Sequence, residues 1–175
     1  GEDYSLTTKY WIQLGQDLVG DNDDYSGRSV SLNADGTIVA IGADNHDDSK
    51  GRTSIWKYRT VTESEWRSTD IIATVGQTGG GDGYTIDGIR GEDYSSTTKY
   101  WIQLGLDLLG VDNGDSIGYS VSLSADGTIV AIGSLNLYSL DAKGRTRIYQ
   151  YSSNTWSQLG QDLLGDAFDF SGNSV

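Results

Sequence analysis

The feature that most constrains the fold of this chain is a segment that occurs twice and begins a third time. Residues 1–20 (GEDYSLTTKYWIQLGQDLVG) return at 91–110 as GEDYSSTTKYWIQLGLDLLG, and residues 29–42 return at 120–133. A third copy starts within WSQLGQDLLGDAFDFSGNSV at 156–175. Self-similarity at a fixed period is the signature of repeat architectures. We therefore predict a first supercycle at 1–90, made of one full and one shortened unit, a second at 91–165, and the start of a third copy at 166–175.

Strand and turn signals alternate within one unit. Ser29–Leu32 shows the period-2 alternation of a half-buried strand, with Val30 and Leu32 on its apolar side. Asp35-Gly36 marks a tight hairpin, because glycine adopts positive φ without a Cβ clash, and the apolar run that follows predicts a strand covered on both faces. Third strands are predicted at 53–58 and 146–151, and fourth strands at 65–72 and 155–159. No window sustains a helical period, so we predict an all-β fold of repeated four-stranded antiparallel meanders, similar to β-propeller blades and open to completion between chains.

The composition excludes several classes of protein. The chain has no Cys, so it has neither disulfides nor thiolate metal sites. Its net charge of −13 is opposite in sign to that of nucleic-acid binders, whose Lys and Arg neutralise phosphates, so no nucleic-acid partner is expected. The longest apolar run is too short to span a membrane. His46 is the only histidine and no nucleophile elbow is present, so we predict that the chain is not an enzyme.

Three motifs together resemble the FG-GAP-type repeat of integrin-like β-propellers. They are W-x-Q-L-G-x-D-L at 11–18, 101–108 and 156–163, A-D-G-T-I-V-A-I-G at 34–42 and 125–133, and G-R-T-x-I-(W/Y)-x-Y at 51–58 and 144–151. The Phe-Gly pair of the family stands here as Ser26-Gly27, Ile117-Gly118 and Ser171-Gly172. The resemblance implies propeller blades, an extracellular or cell-surface location, and adhesion assisted by calcium.

Aspartates cluster in the loop that precedes the first strand of each unit. They are Asp21, Asp23, Asp24, Asp112, Asp115, Asp166 and Asp169. Calcium takes about six to eight hard oxygen ligands, so these carboxylates are candidate metal ligands. The alternative is that Asp favours turns because its side chain bonds the nearby backbone. Calcium is the one cofactor that the sequence suggests.

The aromatic residues divide by their position in the repeat. Large aromatic side chains bury much apolar area, and recurring tryptophans are the predicted repeat core. These are Trp11, Trp66, Trp101 and Trp156. Tyr84, Tyr94 and Tyr138 lie in predicted loops, where exposed rings can stack on sugars. Glycans, either bound in this way or O-linked to Ser and Thr clusters such as 95–98, are therefore candidate partners.

The unfinished third copy bears most directly on function. A propeller needs about four to eight blades to close, whereas this chain carries two full units and parts of others. It can belong to a longer array, close by oligomerising, or join other copies end to end by strand addition. The predicted assembly residues are Ser171, Gly172, Asn173, Ser174 and Val175. We expect a non-catalytic extracellular structural protein, a subunit or segment of a surface fibre or matrix; the alternative is a calcium-assisted adhesion or sugar-binding module.

Overall fold

The computed structural model describes residues 11–62, 96–97, 99–135, 143–167 and 169–175. These residues form β1 (Ser29–Leu32), β2 (Ile38–Ala43), α1 (His46–Ser49), β3 (Arg52–Thr60), β4 (Lys99–Gln103), β5 (Leu108–Leu109), β6 (Ser120–Leu123), β7 (Ile129–Ser134), β8 (Arg145–Ser152), β9 (Thr155–Gln158) and β10 (Leu163–Leu164). Asp47 and Asp48 have positive φ, so α1 is a single irregular turn. The all-β prediction is confirmed for these residues, whose strands form two antiparallel sheets that do not close into a barrel or propeller.

Sheet 1 contains β1 to β5, and β3 is its longest strand. The strand order is β1-β2-β3-β4, and β5 pairs with the other end of β3. Residues 56–60 of β3 pair with β4, and residues 52–53 pair with β5. The chain turns away from β3 between these two pairings, at Gly105, whose φ is +76°. The outer position of the sheet is thus one strand split by a glycine bend.

Sheet 2 repeats this topology with β6 to β10. β6, β7 and β8 pair in sequence, while β9 and β10 both pair with β8. Ser153 and Asn154 connect β8 to β9 with φ of 50° and 66°. Two successive positive φ values are typical of the type I′ hairpin, whose twist matches that of the strands. The predicted fourth strand at 155–159 is confirmed as β9.

The predicted hairpin between the first two strands is also confirmed. Gly36 has a φ of +71° and donates its N–H to the Asn33 carbonyl at 3.1 Å. Oδ1 of Asp35 accepts the Thr37 N–H at 2.9 Å, which closes the turn from the other side. All six residues of β2 are buried, as the continuous apolar run predicts.

The fourth strand of the first unit differs from the prediction. Residues 65–72 lie outside the described residues, and the position beside β3 that they were expected to fill belongs to β4. β4 and β5 come from the tryptophan motif at 101–108, which the sequence places in the second supercycle. Each sheet therefore begins at an SVSL strand and ends at a tryptophan motif. A sheet therefore starts and ends at different residues from the predicted supercycle. The reason is that the hydrogen bonds between neighbouring strands decide which strands form one sheet.

Each sheet has two faces of different chemistry, because side chains alternate along a strand. The aromatic face carries Val39, Ile41, Trp56, Tyr58 and Trp101 on sheet 1, and Val130, Ile132, Tyr149, Tyr151 and Trp156 on sheet 2. The aliphatic face carries Ile38, Ala40, Ile55, Leu104 and Leu108 on sheet 1, and the aligned Ile129, Ala131, Ile148, Leu159 and Leu163 on sheet 2. The aromatic face of sheet 2 packs on the aliphatic face of sheet 1 and forms the main core.

The first strands of the two sheets differ in burial. Val30 in β1 is 57% exposed, whereas the equivalent Val121 in β6 is 8% exposed. Val121 belongs to the core between the sheets. Leu32 is also exposed, so the prediction that Val30 and Leu32 form the buried side of β1 is wrong within the described structure. The reason is that, among the described residues, no sheet lies on that side of β1.

Candidate functional site

One aspartate in each Asp-rich loop holds the loop backbone through its carboxylate. Asp24 accepts the N–H groups of Asp21 at 3.0 Å and Ser26 at 2.8 Å. Asp169 accepts those of Asp166 at 2.8 Å and Ser171 at 3.0 Å. The same local bonding is the reason that Asp favours turns.

Asp115 has the same function in the second loop. Its Oδ2 accepts the N–H groups of Val111 at 2.9 Å and Asp112 at 3.2 Å. The three aligned aspartates thus form the same kind of turn in three loops. These contacts agree with the turn interpretation of the Asp clusters.

An arginine from the third strand of each sheet neutralises the first and the second of these loops. Arg52 donates from Nη2 to Asp24 at 2.6 Å and from Nη1 to Asp21 at 3.0 Å. Arg145 bonds the Asp115 carboxylate in the same way in sheet 2. Asp24 and Asp115 are both buried, and a buried carboxylate requires a partner of opposite charge. The arginines therefore supply the countercharge that permits these loops to pack on their sheets.

Asp21, Asp24 and His46 are the described acidic and imidazole groups that come closest to a metal-binding arrangement. One ligand atom from each lies within 4.8 Å of the other two, and His46 Nδ1 lies 3.7 Å from Asp21 Oδ2. Asp23 contributes its backbone carbonyl to Asn45 instead. Because Arg52 bonds both carboxylates, and three side chains fall short of the usual calcium ligand number, the geometry supports a structural ion-pair cluster more than a calcium site.

The other predicted metal residues divide between two further loops. Asp112 and Asp115 meet in the second loop, and Asp166 and Asp169 in the third. Sequence reasoning missed two arginine partners of the Asp-rich loops: Arg52, which bonds Asp21 and Asp24, and Arg145, which bonds Asp115. The repeated Gly-Arg-Thr at 51–53 and 144–146 was the signal that could have identified them.

The tryptophan motif is closed by a clamp between its Gln and Asp. The Gln Nε2 donates to the Asp Oδ1 four residues later in all three copies. The pairs are Gln13–Asp17 at 2.8 Å, Gln103–Asp107 at 2.6 Å and Gln158–Asp162 at 2.8 Å. The glycine between them has positive φ each time. The motif W-x-Q-L-G-x-D-L forms one bent outer strand in its second and third copies, whereas the first copy keeps the clamp without pairing in a sheet.

The clamp aspartates of the two sheets lie in different electrostatic surroundings. Burial raises the pKa of Asp107, and the nearby Arg52 opposes that rise. Burial also acts to raise the pKa of Asp162, but hydrogen bonds from Arg147 and Gln158 outweigh it, so the pKa falls below its usual value. Arg147 Nε donates to both carboxylate oxygens of Asp162 at 3.1 Å. These interactions attach the outer strand to the third strand.

Each buried tryptophan binds the glycine bend of the preceding tryptophan motif. Trp156 Nε1 donates to the Leu104 carbonyl at 2.6 Å, and a Cβ on Gly105 would lie 2.8 Å from Trp156 Cδ1. Trp101 Nε1 donates in the same way to the Leu14 carbonyl at 2.7 Å. A Cβ on Gly15 would lie 2.8 Å from Trp101 Cδ1. The bend must therefore contain glycine in order to sit on the indole ring.

The predicted core tryptophans that the structure describes lie in two kinds of environment. Trp101 and Trp156 are buried and contact Tyr58 and Tyr151, with ring centroids 5.2 Å and 5.0 Å apart. Trp11 is fully exposed, so the core prediction is wrong for it, because no described strand pairs with its segment. Trp66 lies outside the described residues, as do Tyr84, Tyr94 and Tyr138 of the predicted sugar-binding loops.

The predicted assembly segment at 171–175 packs on sheet 2. The Gly172 carbonyl accepts a hydrogen bond from Ser120 Oγ at 2.8 Å, as the Gly118 carbonyl does from Ser29 Oγ at 2.7 Å. Ser171 is half-buried, whereas Asn173, Ser174 and Val175 are exposed, and all four lie outside any strand. Gly172 thus makes the same contact with sheet 2 that Gly118 makes with sheet 1.

Comparison of the sequence with protein-family models and with curated proteins finds no match. Within the described residues, no helix is long and apolar enough to cross a membrane.

Proposed function

We propose that this chain is a non-catalytic structural repeat protein of the extracellular space or cell surface, built from FG-GAP-like blades. It acts as a subunit or segment of a fibre or matrix. The observation that carries this proposal is the packing of the aromatic face of sheet 2 on the aliphatic face of sheet 1. This contact leaves the aromatic face of sheet 1 and the aliphatic face of sheet 2 for contacts with other copies. Repetition of such a head-to-tail contact produces a ring or a filament.

The polar contacts support a structural role for the Asp-rich loops. The carboxylates of Asp24 and Asp115 accept hydrogen bonds from backbone N–H groups and from arginines. Catalytic carboxylates instead face a substrate and exchange protons near the working pH. The loops thus stabilise the blades and connect one blade to the next.

Self-association of the purified 175-residue chain tests this proposal. Sedimentation velocity should show oligomers that grow with protein concentration, and negative-stain images should show filaments or closed rings of several copies. A single monomeric species up to about 100 µM, a concentration at which even weak specific joints are populated, would overturn the proposal.

The alternative function, a calcium-assisted adhesion or sugar-binding propeller, is favoured by one observation. Asp21, Asp24 and His46 lie close enough together to share a cation. Calorimetric titration with CaCl₂ separates the two: binding heat together with a higher melting temperature supports the adhesion module. Absence of heat and of a melting shift supports the structural protein.

A further inference from the structure

We propose that the aromatic face of sheet 1 binds residues 158–163 of a second copy of this chain, in place of its own residues 13–18. The inference rests on the proposed function and names the joint through which the copies associate. Two faces lack a second sheet within the described residues: the aromatic face of sheet 1, on which residues 13–18 lie, and the aliphatic face of sheet 2, beside which Ser171 and Gly172 pack on Gly144 and Gly133. Residues 26–27 of the partner copy take the place of Ser171 and Gly172 in a joint equivalent to the one inside the chain.

The segment that covers Trp101 has the same sequence as the outer strand of sheet 2. Residues 13–18 and 158–163 both read QLGQDL, whereas the internal copy at 103–108 reads QLGLDL. Gln16 Nε2 donates to the Trp101 carbonyl at 2.7 Å, and Gln16 Oε1 accepts the Trp101 N–H at 3.1 Å. Gln161 occupies the position of Gln16 in the identical segment. It therefore offers the same amide to Trp101 of a second copy.

The aromatic face of sheet 1 lacks the contacts that the equivalent face of sheet 2 makes. A Cβ on Gly127 would lie 2.6 Å from Ile38 of sheet 1, and one on Gly118 would lie 2.5 Å from the Arg52 carbonyl. The equivalent Gly36 and Gly27 have nothing within 4 Å. Val30 is likewise exposed, whereas the equivalent Val121 is buried between the sheets. A full sheet is thus missing from this side of the described structure.

The aliphatic face of sheet 2 is open in the complementary way. Gly105 contacts Trp156, but the equivalent Gly160 has nothing within 4 Å. Leu159 and Leu163 are 41% and 52% exposed, whereas the equivalent Leu104 and Leu108 pack against the core between the sheets. This face has the chemistry that an aromatic face binds inside the chain.

A second copy covers more of sheet 1 than the chain's own segment does. Residues 13–18 pair with no described strand, and Trp11 and Ile12 beside them are exposed. Residues 158–163 belong to a complete sheet that brings β7 and β8 with them. Exchange of one segment for the other therefore buries Val30 of one copy and Leu159 and Leu163 of the other, whose repeat equivalents Val121, Leu104 and Leu108 pack in the joint inside the chain. Burial of apolar surface drives association.

A matched pair of charge substitutions tests the donor face in the full-length chain. Leu159→Lys places a charge in the joint. Leu164→Lys is the control, because the equivalent Leu109 stays 52% exposed although sheet 2 packs on sheet 1. We expect Leu159→Lys to weaken self-association at least tenfold and Leu164→Lys to leave it within twofold. Far-ultraviolet circular dichroism and the melting temperature check that both variants fold.

Gln16→Ala tests the recipient face, because it loosens the chain's own segment without touching the donor. We expect association to strengthen severalfold, and Leu159→Lys in the same chain to abolish the gain. If wild type associates but Leu159→Lys and Leu164→Lys behave alike, this joint is overturned while the proposed function stands. If neither wild type nor Gln16→Ala associates, both are overturned.

Cysteine pairing provides a second readout that depends on geometry. The Ala34 N–H donates to the Ala125 carbonyl at 3.0 Å across the internal joint, and the natural chain has no Cys. A mixture of Ala34→Cys and Ala125→Cys chains should form disulfide-linked heterodimers under mild oxidation, and neither variant alone should cross-link to the same extent. The chain carrying both cysteines, which can close its own disulfide, is the positive control. Equal cross-linking of all mixtures would overturn the proposed joint.

Discussion

The side-chain amide of Gln16 bonds both backbone groups of Trp101, although 85 positions separate the two residues. Trp101 faces Tyr58 on its other side in the ladder between β3 and β4. Gln16 therefore satisfies an outer-strand edge that would otherwise present unpaired polar groups. Because a single side chain covers this edge, the same motif of a second copy can replace Gln16 there.

Truncation of Trp101 should destabilise the fold, and truncation of Trp11 should not. Trp101→Ala removes a buried indole and should lower the free energy of unfolding by about 3–5 kcal/mol. Trp11→Ala, at the equivalent repeat position but exposed, should change it by less than about 0.5 kcal/mol. Urea unfolding followed by circular dichroism measures both. Equal losses would contradict the burial difference between the two motifs.

Removal of the arginine that faces a buried aspartate should be costly. Arg145→Met leaves the Asp115 carboxylate without its countercharge, and breaking a buried ion pair costs about 3–5 kcal/mol. Lys50→Met breaks the exposed pair with Asp47 and should cost much less, because solvent screens an exposed ion pair. Thermal and urea unfolding compare the two variants. A small effect of Arg145→Met would show that the loop carboxylate reaches water.

A methyl group at Gly42 should disturb the link between the sheets. A Cβ there would lie 1.9 Å from the Gly118 carbonyl oxygen, so the backbone has to shift. Overpacking of this kind costs about 1–3 kcal/mol. Lys57→Ala, at an exposed position of β3, is the control and should be nearly neutral. Unchanged unfolding of Gly42→Ala would mean that the loop at 116–118 can move away freely.

Acid should remove a stabilising contribution from the turn at Asp126. Hydrogen bonds from Ser124 and from Thr128 lower the pKa of Asp126 to about 2, whereas an unfolded Asp titrates near about 3.9. A depressed folded-state pKa stabilises the fold above the unfolded value, and the contribution is lost as pH falls from about 4 to about 2. The stability difference between wild type and Asp126→Asn should therefore shrink over that range.

Asp35→Asn should change the pH dependence in the same direction, because hydrogen bonds from Thr37 lower the pKa of Asp35. Urea unfolding at a series of pH values measures both variants. Stability curves of wild type and variant that stay parallel between pH 4 and pH 2 would contradict this prediction.

Local chemistry made parts of the fold predictable from the sequence. The Asp35-Gly36 hairpin depends on one glycine with positive φ, and the burial of β2 follows from an uninterrupted apolar run. The sequence left two interpretations of the loop aspartates, as turn residues or as calcium ligands. Asp115 agrees with the first, because its carboxylate accepts backbone N–H groups of its own loop. The repeated Gly-Arg-Thr singles out Arg145 in the sequence, but its pairing with Asp115 is decided by the sheet, because the two residues are 30 positions apart and meet only after the sheet forms.

The sequence alone determined the all-β fold of the described residues and the equivalent positions of the tryptophan motifs within the repeat. Only the tertiary structure decided that β4 completes sheet 1 and that Trp101 is buried while Trp11 is exposed. The physical reason is that strand propensity and turn geometry depend on neighbours in sequence, whereas the burial of a face depends on whether a second sheet lies against it. Identical motifs therefore have different surroundings at the two ends of the described structure.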